Sequence, residues 1–338
     1  MPVNPDDLDK ALNAIRKEYG PGSVRPGDAY HSPERISTGA LELDIITRGG
    51  IPIGRWSHFY GGMFSAKTLI AFKSIANAQK MGQNCAYYNA EKQFDPDWAR
   101  LHGVNVEELV VVESSVIEEI GNSMELLMGS VHYHVIDSIP AATSVDELAA
   151  SLEDWRPGIS ARAWGKTMKR VQTRFGDDNT VLMINHLGTV FGKYAGGDEP
   201  KGGRFLEYLS SLSIEFQRKS WLFYDKTGHL QLEGESGDTL DKRDKSPTGI
   251  EFACRVKKSR VSVPLKPARL RLDFQTGTID DDWSLAKAAE FNELVVKNGS
   301  WFTLPDETKV QGDGQLRDYI SNNPEFRQKI IDVLKSDS

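Results

Sequence analysis

The stretch from Tyr60 to Ile70 reads YGGMFSAKTLI and nearly completes the phosphate-loop pattern G-x-x-x-x-G-K-[ST]. Gly61 opens it, Lys67 and Thr68 close it, and Gly62, Met63, Phe64, Ser65 and Leu69 fill and flank it. Ala66 stands where the pattern has its second glycine. Such a loop works because backbone N–H groups at a helix N-terminus converge on phosphate oxygens, while the lysine adds a point charge and the hydroxyl holds magnesium. The competing readings are a decayed loop, or an apolar strand that merely runs into an apolar helix. Alanine adds one methyl group, at small cost if residue 66 has ordinary helical dihedrals. Two acids further along the chain fit the same chemistry. Asp137 ends the apolar run HYHVIDS, and a carboxylate at the carboxyl end of a parallel strand beside a phosphate loop reaches the magnesium shell. Glu91, in NAEKQFDP, falls just past another strand, placed to orient or deprotonate a water that attacks a γ-phosphate. Each has a plain alternative, since apolar strands often end in aspartate and Glu91 also suits a surface loop.

These residues need a scaffold. A chain of 338 residues with 39% hydrophobic content suits one large globular domain with an appendage, or two domains. Leu8, Ala11, Leu12 and Ile15 recur at helical spacing and Gly20 follows, which predicts a helix near 6–19. A linker rich in Gly and Pro comes next, so that helix must dock its apolar stripe on the body or on a neighbouring molecule. From residue 35 the pattern repeats as strand, loop, helix. Strands are expected at 56–60, 85–89, 109–113, 132–137 and 180–185. Helices are expected at 67–81, from Asp95-Pro96 to Gly103, and at 160–175. Short apolar runs alternating with helices predict an α/β fold whose mostly parallel central sheet is covered on both faces. Segments 211–216, 250–257 and 268–274 follow one another without long helices and predict an antiparallel extension. After 276, Trp283, Ala286, Ala289, Phe291 and Leu294 predict a helix ending at Gly299, then two short strands and two helices. The expected division is 1–34, 35–276 and a small α/β domain over 277–338.

A formal net charge of −7 argues against indiscriminate coating of nucleic acid. Two local runs go the other way: RPGISARAWGKTMKR from Arg156 and RVKKSRVSVPLKPARLR from Arg255 are basic and free of acids. A solvated face is the plain reading of such a run, and polyanion contact is the sharper one. Cys85 and Cys254 lie far apart in apolar runs and read as core residues, not as a disulfide or zinc framework. No His/Cys/Asp cluster suggests a transition metal, and His132 and His134, at strand spacing, read as sheet residues. Trp56, Trp164, Trp221, Trp283 and Trp301 read as core or interface aromatics. No apolar run approaches the ~18 residues of a membrane span. The acidic, amphipathic start lacks the basic flank of a secretion signal, so the expected location is cytoplasmic, away from any membrane.

With Gly61, Lys67 and Thr68, then Glu91, then Asp137 on successive strands, the chain resembles the RecA family of DNA recombinases from about residue 5 to its end. The stretches that carry the resemblance are ISTGALELDIITRGGIPIGRWSHFYGG, AEKQFDPDWARLHGVNVEELVV, VIDS, INH, GGRFLEYLSSLSIEF, KKSRVSVPLK and NGSWFTL. Ala66, His186 after Asn185, and Ser259-Arg260 depart from the common pattern and look closest to phage-type, UvsX-like recombinases, whose phosphate loop also lacks that glycine. The resemblance implies a RecA-type ATPase core between an N-terminal helix with its polymerisation linker and the C-terminal domain. It implies ATP and Mg2+ as cofactors, with Gly61 through Leu69, Asp95, Trp98, Asp137, Asn185, Lys258 and Arg260 around the nucleotide. Thr68 and Asp137 would hold the metal, and Glu91, Lys67 and His186 would carry the chemistry. Asp95 and Trp98 fall where the family contacts adenine, Trp98 in place of the usual tyrosine. Asn185 and His186 would sense the γ-phosphate, and Lys258 and Arg260 match positions that reach the ATP of a neighbouring subunit. Asn89 stands where the family usually has aspartate.

For DNA, the resemblance implies a first loop near 154–158, with Trp155 and Arg156, followed by Arg162 on a helix. It implies a second loop over 187–201, with Leu187, Gly188, Thr189, Val190, Phe191, Lys193 and Lys201, ending at Gly202, Gly203 and Arg204. The implied activity is that of a DNA-dependent ATPase, a homologous recombinase that forms a helical homo-oligomeric filament on single-stranded DNA and exchanges strands with homologous duplex DNA. A single-strand-binding protein and a loading mediator are the further partners implied. An acidic protein can bind DNA in this way when its basic residues line one inner surface of a filament and each copy adds a few phosphate contacts. Two rivals are a nucleotide-binding, DNA-coating filament with little or no hydrolysis, for which Ala66 and Asn89 speak, and a hexameric helicase motor on the same core.

Overall fold

Short apolar runs separated by helices become one large sheet in the computed structural model, which describes residues 5–29, 31–150, 158–189, 198–224, 230–232, 246–260 and 267–336. The strands are Trp56–Gly61 (β1), Cys85–Asn89 (β2), Leu109–Val112 (β3), Tyr133–Asp137 (β4), Thr180–Thr189 (β5), Leu212–Tyr224 (β6), Gly249–Ser259 (β7) and Ala268–Asp273 (β8). They lie in the order β8-β7-β6-β1-β5-β4-β2-β3. From β3 across to β6 every neighbouring pair is parallel, and β7 is antiparallel to both β6 and β8. The antiparallel extension therefore begins one strand later than the sequence predicts. No long helix precedes β6, but the short helix Arg204–Leu209 lies on the connection that returns the chain parallel to β1.

Successive side chains of a strand point to opposite faces, and here both faces are covered. On one, Phe59, Tyr87, Val135, Leu182 and Ile184 meet Ile70, Phe72 and Ile75 of the helix Lys67–Lys80. On the other, Trp56, Tyr88, Ile136 and Met183 meet Ile120 and Met124 of the helix Ile117–Leu127, Trp164 and Met168 of the helix Ile159–Gln172, and Leu206. Cys85 and Cys254 are free and buried, as the apolar context predicts.

The chain divides into two units, Met1–Glu34 and Arg35–Ser338. In the first, the helix Pro5–Tyr19 is closed by Gly20, whose φ is +98° and whose N–H donates to the Arg16 carbonyl at 3.0 Å. Leu8, Ile15 and Tyr19 on this helix are exposed. In the second, Leu285, Ala289, Phe302, Leu316, Ile320 and Ile330 form a core of their own, which Ile45 of the helix Leu41–Ile46 enters. The helix Asp281–Phe291 stops well short of Gly299. Glu293 turns left-handed (φ +56°), Leu294 donates back to the Ala289 carbonyl at 3.0 Å, and the β-branched run that follows becomes the strand Val296–Asn298. It pairs with Trp301–Thr303, which pairs with Lys309–Gln311, so three strands precede the helices Gly312–Asn322 and Pro324–Ser336 where two were expected. Among the described residues, no helix is long and apolar enough to cross a membrane.

Candidate nucleotide site

The phosphate loop runs from the carboxyl end of β1 to the helix Lys67–Lys80. Gly61 is required there by close approach, because a Cβ would fall 2.0 Å from the Phe216 carbonyl oxygen on β6. Met63 and Phe64 are exposed, and the Ser65 hydroxyl turns inward to the Gly62 carbonyl at 2.8 Å. The condition for a small cost at Ala66, ordinary helical dihedrals, is not met: it is left-handed, with φ 69° and ψ 13°. The loop conformation demands the backbone that glycine adopts freely, and a Cβ in that region costs roughly 1–2 kcal/mol. The loop is therefore built with its turn intact and with left-handed backbone at two non-glycine residues, Phe64 (φ 52°) and Ala66. Lys67 Nζ lies inside the turn, donating to the Gly62 carbonyl at 2.7 Å, the Gly61 carbonyl at 3.3 Å and Ser65 Oγ at 3.2 Å. Burial lowers its pKa to about 8, against the opposing pull of Asp137 and Glu91. Leu69 is half-buried against the core.

Asp137 and Glu91 come to the same end of the sheet, as the sequence predicts. Thr68 Oγ1 donates to Asp137 Oδ2 at 2.7 Å, and Tyr87 donates its phenolic hydrogen to the same oxygen at 2.8 Å. Burial pushes the Asp137 carboxyl up, while Thr68 and Tyr87 hold it down. Glu91 Oε1 accepts from Ser138 Oγ at 2.5 Å and from His186 Nε2 at 3.3 Å. The His186 hydrogen bond is the main cause that lowers the Glu91 pKa; partial burial opposes it and Ser138 adds to it. An ionised glutamate, half-exposed beside the ammonium of Lys67, has the protonation state of a base. Its loop is anchored by Phe94, whose ring packs on Tyr87 at 5.4 Å and on Phe72 at 6.1 Å. Asn89 turns away from this group: its amide donates to Glu113 at 2.8 Å and its oxygen accepts from the Gln93 N–H at 3.0 Å.

Asn185 is fully buried. Its Nδ2 reaches the Lys201 carbonyl at 2.6 Å and His58 Nε2 at 3.0 Å, and its oxygen accepts from the His186 N–H at 2.8 Å. Leu187, Gly188 and Thr189 continue β5 and pair antiparallel with Asp198–Pro200, so the expected second loop stands on a two-stranded ribbon. Val190, Phe191 and Lys193, and the first-loop residues Trp155 and Arg156, lie outside the described residues. Lys201, Gly203 and Arg204 are exposed at the root, and Gly202 and Gly203 each have φ of +85°. Arg162 is exposed on the helix Ile159–Gln172.

Asp95 and Trp98 form a separate group. Asp95 caps the helix Pro96–Leu101 through the N–H groups of Asp97 (2.9 Å) and Trp98 (3.1 Å), and the Trp98 ring packs on His102 and Phe274. Lys258 and Arg260 lie away from the phosphate loop. Lys258 pairs with Ser213, which pairs with His58; the Arg260 N–H bonds the Ser211 carbonyl, and the Ser211 N–H bonds that of Trp56. At ~3.3 Å per residue these levels fall roughly 10 and 16 Å short of Gly61 along the strand. A β-bulge between Val256 and Lys258 also turns Lys258 onto the face opposite the helix Lys67–Lys80. There Lys258 donates to the Glu207 and Tyr208 carbonyls and Arg260 to that of Tyr208 at 3.1 Å, in the last turn of Arg204–Leu209. Arg255 and Lys257, from the second basic run, line a cleft with Arg218 and Lys219 beside Gly62 and Leu187.

Sequence reasoning passed over Tyr87, Ser138, Glu113 and His58. Tyr87 and Ser138 had a usable signal, since each lies within two residues of a position already singled out at a strand end. His58 had none, because only the sheet brings it to Asn185.

A P-loop cradle, a strand-end aspartate bonded to its threonine, and a glutamate just past the adjoining strand define a nucleoside-triphosphatase of the P-loop class. A family model described as the RecA N-terminal domain matches residues 6–279. Protein RecA of Acholeplasma laidlawii (strain PG-8A) is 31% identical over 330 residues, covering 96% of this chain and 94% of that protein. Protein RecA of Paenarthrobacter aurescens (strain TC1) is 30% identical over 345 residues, covering 99% and 94%, and that of Chlamydia abortus is 31% identical over 350 residues, covering 99% and 95%. The chain belongs to the RecA family, ATP-dependent homologous recombinases with DNA-dependent ATPase activity.

Proposed function

We propose that the chain polymerises on single-stranded DNA as a helical filament, pairs that strand with homologous duplex DNA and exchanges strands, with ATP and Mg2+ held between successive copies. The separation of Lys258 and Arg260 from the phosphate loop of their own chain carries this reading. Neither cation is placed to assist the phosphates bound by its own Lys67, whereas both stand nearer the other end of β1, available to a second copy. The chain would be worked in three parts: an arm over 1–34 that docks on a neighbour, a core over 35–276 and a C-terminal domain over 277–338.

Thr68 and Asp137 present paired hard oxygens, one of them anionic, which suits Mg2+. The metal, when bound with ATP, would neutralise charge on the phosphate oxygens. The loop N–H groups and Lys67 would bind the phosphates, and Asp95 and Trp98 would meet the adenine. Glu91 would hold and deprotonate the attacking water, and His186, now on Glu91, would respond to the γ-phosphate. DNA contact falls to Arg162, to the residues from Leu187 to Arg204, to Trp155 and Arg156, and to the basic cleft beside Leu187. Ala66, His186 and Arg260 support a phage-type, UvsX-like placing, in which case the protein would act in the host cytoplasm with a single-strand-binding protein and a loading mediator. Electron microscopy with single-stranded DNA and a non-hydrolysable ATP analogue tests the reading: helical filaments that require both ligands are expected, and closed rings or dispersed monomers would overturn it.

A further inference from the structure

β1 carries into the interior an imidazole that the proposed chemistry does not use. His58 is 1% exposed, and it shares a row across the sheet with Met183, Ser213 and Lys258. Its Nε2 is 3.0 Å from Asn185 Nδ2, its ring packs at 5.2 Å on Tyr60, and its Nδ1 has no hydrogen-bond partner. Burial lowers its pKa to about 4, and the Lys258 charge adds to the effect, so the imidazole is neutral near pH 7. The amide of Asn185 donates, so Nε2 accepts and the buried, unpartnered Nδ1 carries the proton. An unpaired buried N–H is destabilising. A leucine of similar volume would avoid it, so packing does not account for an imidazole here.

Accepting from Asn185 does account for it. With one N–H of Asn185 held by His58, the second is aimed at the Lys201 carbonyl and the oxygen at the His186 N–H. Lys201 is the carboxyl-side root of the second loop, and its own N–H returns to the His186 carbonyl at 3.1 Å. His186 in turn donates to Glu91. We propose that His58 is a positioning residue that fixes the Asn185 carboxamide, so that movement of the second-loop root on DNA is transmitted through His186 to Glu91. The inference rests on the recombinase reading and on the second loop as the DNA-contacting element.

The test is phosphate release by the full chain at saturating Mg-ATP, with and without single-stranded DNA, for the parent, His58→Leu and His58→Gln. His58→Leu should lose DNA stimulation by at least about tenfold while the DNA-free KM for ATP moves less than about twofold. His58→Gln, whose side-chain oxygen still accepts from Asn185, should retain most of the stimulation. If His58→Leu does not fold, His58→Asn, polar but too short to reach Asn185, carries the same expectation. Full stimulation in His58→Leu, equal loss of DNA-free and DNA-stimulated turnover, or a glutamine variant no better than the leucine would each overturn the inference alone. A parent with no DNA stimulation would instead overturn the reading beneath it.

Discussion

Ala66 and the two acids at the strand ends show how far single residues decide this site. The left-handed backbone at Ala66 makes Ala66→Gly a stabilising change: relief of strain outweighs the added freedom of the unfolded chain by about 0.5 kcal/mol. A thermal melt should show a rise of about 1–2 °C with nucleotide affinity unchanged; no rise would mean that the methyl group is compensated by contacts. Glu91→Gln keeps the shape that meets Ser138 and His186 but removes the base, so turnover should fall by about 10²–10⁴-fold while filaments still form. Equal phosphate release in the two proteins would strip Glu91 of that role. Asp137 carries a pH signature. Its carboxyl is raised in the folded chain, so the stability tied to its neutral form is fully present below the unfolded pKa and is lost as pH rises through the folded value. Asp137→Asn should therefore raise the Tm of the nucleotide-free protein at pH 7, with the gain fading toward pH 4, and should abolish Mg-dependent hydrolysis; a Tm gain that is independent of pH would reject burial as the cause. The identities of these residues were legible in the sequence because each sits at a fixed offset from a strand end. The dihedral of Ala66 was not, because nothing in the local letters distinguishes an alanine inside the helix from one on the turn before it.

At the scale of elements, the alternation of short apolar runs with helices made the parallel sheet legible, and the Asp95-Pro96 cap and Gly103 marked a whole helix. Two features were hidden. The return of β6 parallel to β1 follows a helix too short to show a 3.6-residue period, and the end of the helix Asp281–Phe291 depends on a left-handed Glu293, a residue that carries no turn signal. The root of the second loop has little room for a single methyl group. A Cβ at Gly202 would meet Ile139 Cγ2 at 2.6 Å and Leu206 Cδ1 at 2.8 Å, on a backbone with φ of +85°. Gly202→Ala should cost about 1–3 kcal/mol and lower single-stranded DNA affinity more than ATP affinity; parent-like values for both would show that the root tolerates a shift.

Across the whole molecule, the two halves of the proposed site lie at different levels of one sheet, the phosphate loop past the carboxyl end of β1 and Lys258 of β7 level with His58, which no reading of local motifs could establish without the register of β6 and β7. If each complete site takes Glu91 from one copy and Lys258 from the next, Glu91→Gln and Lys258→Ala subunits are each inactive alone for different reasons. Mixed in equal amounts, random assembly leaves both halves intact at about a quarter of the junctions. Phosphate release should reappear on mixing at about that fraction of the parent rate, and a mixture as silent as its components would place both groups in one subunit's site.

The bulge that carries Lys258 to the far face would give such a polymer a direction. If the site is shared in this way, its two tips would be unlike: one terminal copy would hold a triphosphate with no cations arriving to complete it, while the other would offer cations with nothing to grip. The first would be a nucleotide that ages more slowly than those behind it, a built-in cap, and growth and shedding would then run at different rates at the two tips.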